Sequence, residues 1–394
     1  MANEKTLSRI TTITTTEDLA AFCARAAECD YVTVDTEFLR ERSYYSKLCL
    51  VQLALPTRGP DDAVLVDPIA GDLSLEPLYE LFRDTSVVKV FHAARQDLEI
   101  FHVDAGLIPE PLFDTQVAAM VCGFGEQVGY ETLVRRIARQ SLDKTSRFTD
   151  WSRRPLTDAQ RTYAVADVTH LRDIYEYLAA KLAETGREKW VAEEMEILKD
   201  PETYIIRPED AWKRVKTRNA SGRFLAIVRE LARFREDYAQ TRNVPRSRVF
   251  KDDALVELAS TKPGSLNDLS RSRLLLREAR KGDIADGILA AVKDGLDTPN
   301  DEVPKPDRSR EKLQVNPALA ISFEATPNSS VLALSSTRSK SASAADLDAI
   351  SGGERDVPAL KGWRNEVLGG DAMRLCEGKV ALAAKGKSIV TVDL

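Results

Sequence analysis

With 394 residues, 43% hydrophobic and 30% charged, the chain has the length for two or three cored domains and the composition of an ordinary globular protein rather than a disordered or fibrous one. No apolar run reaches membrane-spanning length, the polar start Met1–Ile13 carries no apolar export segment, and the five cysteines form no Cys-x-x-Cys pair, so the expectation is a cytoplasmic protein with reduced thiols and no disulfide or zinc framework. The net charge of −6 hides an asymmetry: Arg207–Lys251 holds 13 Lys/Arg against 5 Asp/Glu, a local +8 that leaves −14 elsewhere, as suits a protein that binds a polyanion with one part and cations with another, although a solvated helical face carries the same pattern.

Tyr31–Thr36 alternates as a strand with Val32 and Val34 on one face. Lys47–Leu55 is a near-continuous apolar run, as in a strand covered on both faces, and Ala63–Asp67 is a third strand stopped by Pro68. A helix is predicted over Leu75–Arg83, a strand over Val87–His92, and helices over Gln96–Val103, Thr115–Cys122 and Tyr130–Arg139. Thr157–Ala183 reads as a long helix, with Thr157 as N-cap and Gln160 three residues on. Three strands followed by alternating helix and strand predict an α/β domain ending near Ile206.

From Pro208 the strand signals vanish. Ala211–Val215, Gly222–Thr241, Asp252–Ser260, Ser265–Leu269 and Arg273–Asp294 read as the helices of an all-α module within residues 208–296. Residues 297–310 form a polar, proline-bearing linker. In residues 311–394, Ala344–Ile350 and Ala359–Leu368 look helical, while Ala325–Ser343 has no helical period.

Three short stretches carry residues suited to chemistry. Asp35 and Glu37 alternate onto one face at the end of the first strand, where two carboxylates repel each other unless a cation lies between them. Asp97 sits in the first turn of a helix that follows a strand, with Leu98 and Phe101 on the packing face. Tyr163 and Asp167, four residues apart, share one face of a helix whose neighbours Ala164, Val165, Ala166 and Val168 are small and apolar. Each alone reads more readily as a strand end, a helix N-terminal charge or a core tyrosine. Together they are far more specific.

The order Asp-x-Glu, Asp, Tyr-x-x-x-Asp resembles the DEDD exonuclease superfamily. The tyrosine marks its DEDDy branch, since Thr162 stands where the companion branch has histidine. The stretches VTVDTEFLRERSYYSKLCLVQLA, VFHAARQDLEIF and DKTSRFTDWSRRPLTDAQRTYAVADVTHL are similar to the ribonuclease D core, a likeness that spans Thr12–Ile206 of an exonuclease domain placed at residues 1–206. Residues 208–296 resemble the HRDC helical module, and VPALKGWRNEVLGGDAMRLCEGKVAL, Val357–Leu382, resembles a second one within 311–394. This resemblance implies a ribonuclease H-like mixed sheet with flanking helices, followed by one or two small all-α modules. It implies a 3′→5′ exonuclease using two divalent ions, Mg²⁺ or Mn²⁺, held by Asp35, Glu37, Asp97 and Asp167, with Asp35 bridging and Tyr163 orienting or deprotonating the attacking water. Hard dications take such oxygen ligands. The implied product is a nucleoside 5′-monophosphate and the implied substrate is RNA, transfer RNA precursors above all.

Candidate RNA-contacting residues are Phe38, His92, Trp151, Arg153, Arg154, Lys213, Arg214, Lys216 and Arg218. Trp151 offers a face for base stacking or an anchor for its loop, and Arg135, Arg136 and Arg139 offer phosphate contacts or plain surface charge. His92, His102 and His170 lack the clustered spacing of metal ligands. A DNA-directed exonuclease with the same site is the competing reading. A catalytically silent nucleic-acid-binding fold is disfavoured because all five site positions are filled. The basic stretch further suggests that the helical module holds the RNA body while the first domain trims the end, so that a chain cut near Ile206 keeps its site and loses affinity for folded RNA.

Overall fold

The computed structural model describes residues 10–304 apart from 126, 144, 145, 147, 148 and 218–220, and, near the C-terminus, 362, 379–385 and 388–393. They fall into two compact units: residues 10–37 with Leu48–Thr203 and the described residues near the C-terminus, and Phe38–Lys47 with residues 204–304.

The first unit is built on a six-stranded sheet of β1 (Thr11–Ile13), β2 (Tyr31–Leu39), β3 (Lys47–Ala54), β4 (Ala63–Val66), β5 (Val88–Phe91) and β6 (Leu112–Asp114), ordered β1-β4-β3-β2-β5-β6. The sheet is mixed: β1 runs parallel to β4, β2 to β5 and β5 to β6, whereas β3 and β4 are antiparallel. Every residue of β3 after Lys47 is buried, as the unbroken apolar run predicts for a strand covered on both faces.

Around the sheet lie α1 (Thr16–Ala26), α2 (Glu76–Arg83), α3 (Arg95–Ala105), α4 (Thr115–Val121), α5 (Tyr130–Leu133), α6 (Asp158–Thr185) and α7 (Glu188–Lys199). The capping box at α6 forms as expected, Thr157 accepting from Gln160 N and the Gln160 side chain from Thr157 N. Phe82 of α2, Phe91 of β5 and Phe101 of α3 form a buried edge-to-face trio with centroids 4.9–6.5 Å apart, which locks α3 to the sheet.

Five elements differ from expectation. β1, β6, α1 and α7 escape the sequence pattern: β1 and β6 have three residues each, and α7 buries only Val191 and Met195 among its charges. The expected single helix over Tyr130–Arg139 changes pitch after Leu133 into a π-helical turn, Val134–Ala138, which Arg139 ends at φ 58°.

The second unit is helical: a 3₁₀ stretch at Pro208–Arg214, α8 (Gly222–Thr241), α9 (Arg246–Val249), α10 (Asp252–Thr261), α11 (Leu266–Ser270) and α12 (Gly282–Asp297) around a core that includes Ile227, Leu231, Leu255, Leu258, Ile288 and Val292. A Cβ on Gly295 of α12 would stand 2.5 Å from Ile227 Cα, so that glycine sets how closely α12 and α8 pack. The expected helix over Arg273–Asp294 is not continuous. Gly282 (φ 65°) starts α12 anew, and the backbone before it is held by side chains: Glu257 accepts from the Arg273 and Leu274 N–H groups, and Arg280 donates to the Ser270, Ser272 and Leu275 carbonyls.

Several of the 13 cations are engaged internally, two of them by carboxylates outside the stretch, Asp252 and Asp283. Arg223 donates to the Gly295 and Leu296 carbonyls, and Arg229, Arg233, Arg235, Arg242 and Arg246 pair with Glu230, Glu230, Asp252, Asp283 and Glu236. The basic run therefore overstates the positive surface. Of residues 311–394, those described form an antiparallel hairpin, β7 (Val380–Lys385) on β8 (Ser388–Asp393), a departure from an all-helical second module; Ala325–Ser343 and both expected helices fall outside the described residues, the second except for Gly362.

The second unit also holds Phe38–Lys47, which includes the connection between β2 and β3, with Tyr44 only 5% exposed in the helical core. This alters the expectation for a chain cut after Ile206: the cut removes the partners of Tyr44. Limited proteolysis should cleave within Phe38–Lys47 of the truncated chain at least about tenfold faster than in the full chain, because local stability follows buried contacts. Equal protection in both would contradict this packing.

Candidate active site

The site begins with β2. Val32 and Val34 are fully buried, and Asp35 and Glu37 follow where the strand becomes partly exposed. Two threonines that the sequence reading passed over set its place. Thr33 Oγ1 lies 2.9 Å from the Val168 carbonyl and 3.2 Å from the Ala54 carbonyl, tying β2 to α6 one residue from Asp167. Thr36 donates its hydroxyl to Asp97 Oδ1 and so brings α3 to the same strand.

Asp35, Glu37 and Asp167 each place a carboxylate oxygen within 4.8 Å of the others, the sole such group of metal-ligating side chains among the described residues. Asp97 lies outside that cluster by the same measure and joins it through Thr36 and through repulsion with Asp35. Burial, then the charge of Asp167, pushes the Asp35 carboxyl well above the usual carboxylate range, and burial, then Asp35, does the same to Asp97. Oxygen-only donors crowded in this way fit hard divalent cations. His102 and His170 belong to no such group.

The turn that delivers Asp97 depends on Asp114, a buried carboxylate at the end of β6. It accepts from the Ala93 (3.0 Å) and Ala94 (2.8 Å) N–H groups and from Gln116 N (2.7 Å), so one side chain caps α4 and holds Ala93 at φ 57° ahead of α3. Nothing in the local sequence marks the second role of Asp114, whose partners Ala93 and Ala94 lie 21 and 20 residues upstream.

Tyr163 and Asp167 share one face of α6 as expected, and the Tyr163 hydroxyl donates to the Asp167 carboxylate. Burial and then the charges of Asp167, Glu37 and Asp35 push that hydroxyl far above its ordinary value, so it stays protonated. Tyr130 also belongs here, although sequence reading gave it no role. Its hydroxyl donates to the Asp167 carbonyl and lies 3.3 Å from that of Ala166, and its ring centroid is 5.3 Å from that of His92. His92 Nδ1 stands 3.0 Å from the Thr115 hydroxyl, and burial holds the imidazole below its usual pKa and hence neutral. Asp35, His92, Tyr130, Tyr163 and Asp167 line a cavity of about 260 Å³.

Two candidate RNA contacts are corrected. Trp151 is 2% exposed, its ring 6.0 Å from that of Tyr163, so it has no face to offer a base and instead backs the tyrosine. Arg154 is a tether: its guanidinium binds both Asp67 oxygens at 2.5 and 2.7 Å and donates to the Cys49 and Trp151 carbonyls. Arg153 is 83% exposed beside Asp150. Phe38 is half-buried at the end of β2, Lys213 pairs with Asp210 at 2.7 Å, Arg214 and Lys216 are exposed, and Arg218 lies outside the described residues.

Comparison with known proteins agrees with this geometry. The 3′-5′ exonuclease family matches residues 10–183 and the HRDC domain family residues 224–292. The chain is 61% identical to ribonuclease D of Jannaschia sp. (strain CCS1) over 383 residues, 97% of this chain and 99% of that one. It is 46% identical to ribonuclease D of Nitrobacter hamburgensis, over 97% and 99% of the two chains. The crystal structure of Escherichia coli RNase D, described as an exoribonuclease involved in structured RNA processing, superposes with a TM-score of 0.75 at 30% identity, covering 94% of this chain and 99% of that one.

Proposed function

Since the chain belongs to the ribonuclease D family, and is a metal-dependent 3′→5′ exoribonuclease, we propose that Asp35, Glu37, Asp97 and Asp167 hold two divalent cations, Mg²⁺ or Mn²⁺, beside Tyr163, and that the enzyme removes nucleotides from the 3′ trailers of transfer RNA precursors. The observation that carries this reading is the convergence of Asp35, Glu37 and Asp167 within 4.8 Å, with Asp97 joined through Thr36. Divalent cations in such a donor set lower the pKa of an attacking water and offset the charge on the departing 3′ oxygen.

The protein's own groups do the rest. Tyr163, protonated and bonded to Asp167, orients the water as a neutral hydroxyl rather than as a base. Tyr130 fixes the backbone at Asp167, and neutral His92 lines the same cavity without adding charge. Water adds to phosphorus as the P–O3′ bond breaks, releasing a nucleoside 5′-monophosphate and an RNA one residue shorter with a new 3′ hydroxyl. A cavity of about 260 Å³ suits one terminal nucleotide, below the roughly 300–1,000 Å³ of drug-sized clefts.

The substrate assignment is tested by incubating precursors bearing 3′ trailers, an unrelated structured RNA and a DNA copy with the enzyme and Mg²⁺. Faster trimming of the trailers is expected, and equal rates on all three would overturn it. Four reduced cysteines, Cys23, Cys29, Cys49 and Cys122, support a reducing, cytoplasmic setting, and among the described residues no helix is long and apolar enough to cross a membrane.

For the RNA body, exposed Arg214 and Lys216 remain phosphate contacts in this reading. In the full chain, Arg214→Gln with Lys216→Gln should make the dependence of log Kd on log salt shallower by about one to two units on one precursor, as counterion release requires. Lys213→Gln, which removes a cation already paired with Asp210, should change it less. An unchanged slope in the double variant would leave these side chains as solvated surface.

A further inference from the structure

Glu37 is the last residue of the first unit before the chain passes into the second at Phe38, and the first unit resumes at Leu48. On its β5 side, β2 is paired at Tyr31–Thr33, upstream of both carboxylates. The strand therefore reaches Asp35 and Glu37 with its β5 partners behind it, leaving β3 as its hydrogen-bonded neighbour in the sheet, and the connection that follows is held by further side chains.

That hold is dense. Tyr44 donates its hydroxyl to Glu236 Oε1 and accepts from Arg246 Nη2 at 2.9 Å and Gln240 Nε2 at 3.1 Å. Arg246 lies 4.7 Å from the Tyr44 ring centroid while binding both Glu236 oxygens at 2.5 Å. The Asn243 side-chain oxygen accepts from the Tyr44 and Tyr45 N–H groups, both at 3.0 Å. Asn243 adopts φ 48° just beyond α8, a left-handed conformation that asparagine tolerates and most residues do not. The seven residues between β2 and β3, 40–46, are thus pinned at a backbone pair and at a buried ring.

We infer that Tyr44 and Asn243 are positioning residues for the exonuclease reaction: through them the helical unit grips the β2–β3 connection and fixes the end of the strand that presents Glu37. The inference rests on Glu37 belonging to the metal-holding group. Neither residue touches the carboxylates; they act through the peptide chain that leads to them. Catalysis is sensitive to this because displacing a reacting group by about 1 Å costs up to ~10²-fold.

Three full-length variants test it. Tyr44→Phe keeps the buried ring and deletes the hydroxyl. Asn243→Gly suits the positive φ and deletes the acceptor, and Asn243→Asp keeps the acceptor. On a short single-stranded RNA, Tyr44→Phe and Asn243→Gly should lower kcat about tenfold, with KM within about twofold and a correspondingly higher Mg²⁺ concentration for half-maximal rate. Amide exchange at residues 35–47 should quicken in both even without metal. Asn243→Asp should behave as wild type, a rescue that general destabilisation cannot produce. Wild-type kcat and exchange in both Tyr44→Phe and Asn243→Gly would overturn the inference, as would an Asn243→Asp protein as impaired as Asn243→Gly. If one substitution prevents folding, the other decides. Glu37→Gln run alongside separates the two failures: an active Glu37→Gln removes the premise about the site, whereas an inactive one beside wild-type-like Tyr44→Phe and Asn243→Gly removes the tether alone.

Discussion

Asp97→Asn is expected to abolish RNA hydrolysis while raising the melting temperature of the metal-free protein. Asp97 is 6% exposed, and burial together with repulsion from Asp35 lifts its carboxyl well above the usual range, against the pull of the Thr36 hydrogen bond. Asparagine keeps an oxygen for Thr36 and loses the charge. Losing one ligand charge from a site whose cations supply several kcal/mol should cost about 4 kcal/mol, or ~10³-fold in rate. Without metal, the same change removes a repulsion and stabilises the fold.

The pH dependence follows from the direction of the shift. A folded-state pKa above the ordinary 3.8 gives stability that is fully present below that value and lost as pH rises through the raised one. Metal-free wild type should therefore lose stability from about pH 4 upward more steeply than Asp97→Asn, and added Mg²⁺ should remove the difference in slope. Melting curves between pH 4 and 8 check this. Equal slopes without metal, or wild-type turnover by the variant, would contradict the assignment.

The second large effect is expected at Tyr163. Tyr163→Phe preserves the ring that packs near Trp151 and deletes the hydroxyl that donates to Asp167. Positioning and acid–base roles typically contribute 10²–10⁴-fold, so turnover should fall within that range while KM changes less than about threefold. With the hydroxyl held protonated by its buried, anionic surroundings, the loss should be of similar size across neutral pH. A fall in kcat smaller than about threefold would make Tyr163 a packing residue.

Local signals carried the reading of the first unit. Alternation in β2 placed Asp35 and Glu37 on one face, helical spacing joined Tyr163 to Asp167, and the Thr157/Gln160 capping box located the start of α6. What escaped depends on groups distant in sequence. Asp114 builds the turn before Asp97 from 20 residues away, Thr33 finds the Val168 carbonyl 135 residues on, and Tyr44 meets Glu236 across 192. Arg154 illustrates the reverse error: beside Trp151-Ser152-Arg153 it reads as part of a phosphate-binding cluster, yet Asp67, 87 residues earlier, claims its guanidinium. The basic block misled in the same way, because summed charge does not reveal which arginines already face a buried or neighbouring carboxylate.

The central claim, that these carboxylates serve metal-dependent removal of nucleotides from the 3′ end, is tested most directly with a 5′-labelled RNA incubated with enzyme stripped of metal by EDTA and then resupplied with Mg²⁺. The predicted result is no shortening in the stripped enzyme and, on readdition, a ladder descending one nucleotide at a time with nucleoside 5′-monophosphates released. Undiminished shortening by the stripped enzyme, or internal fragments in place of a ladder, would contradict it.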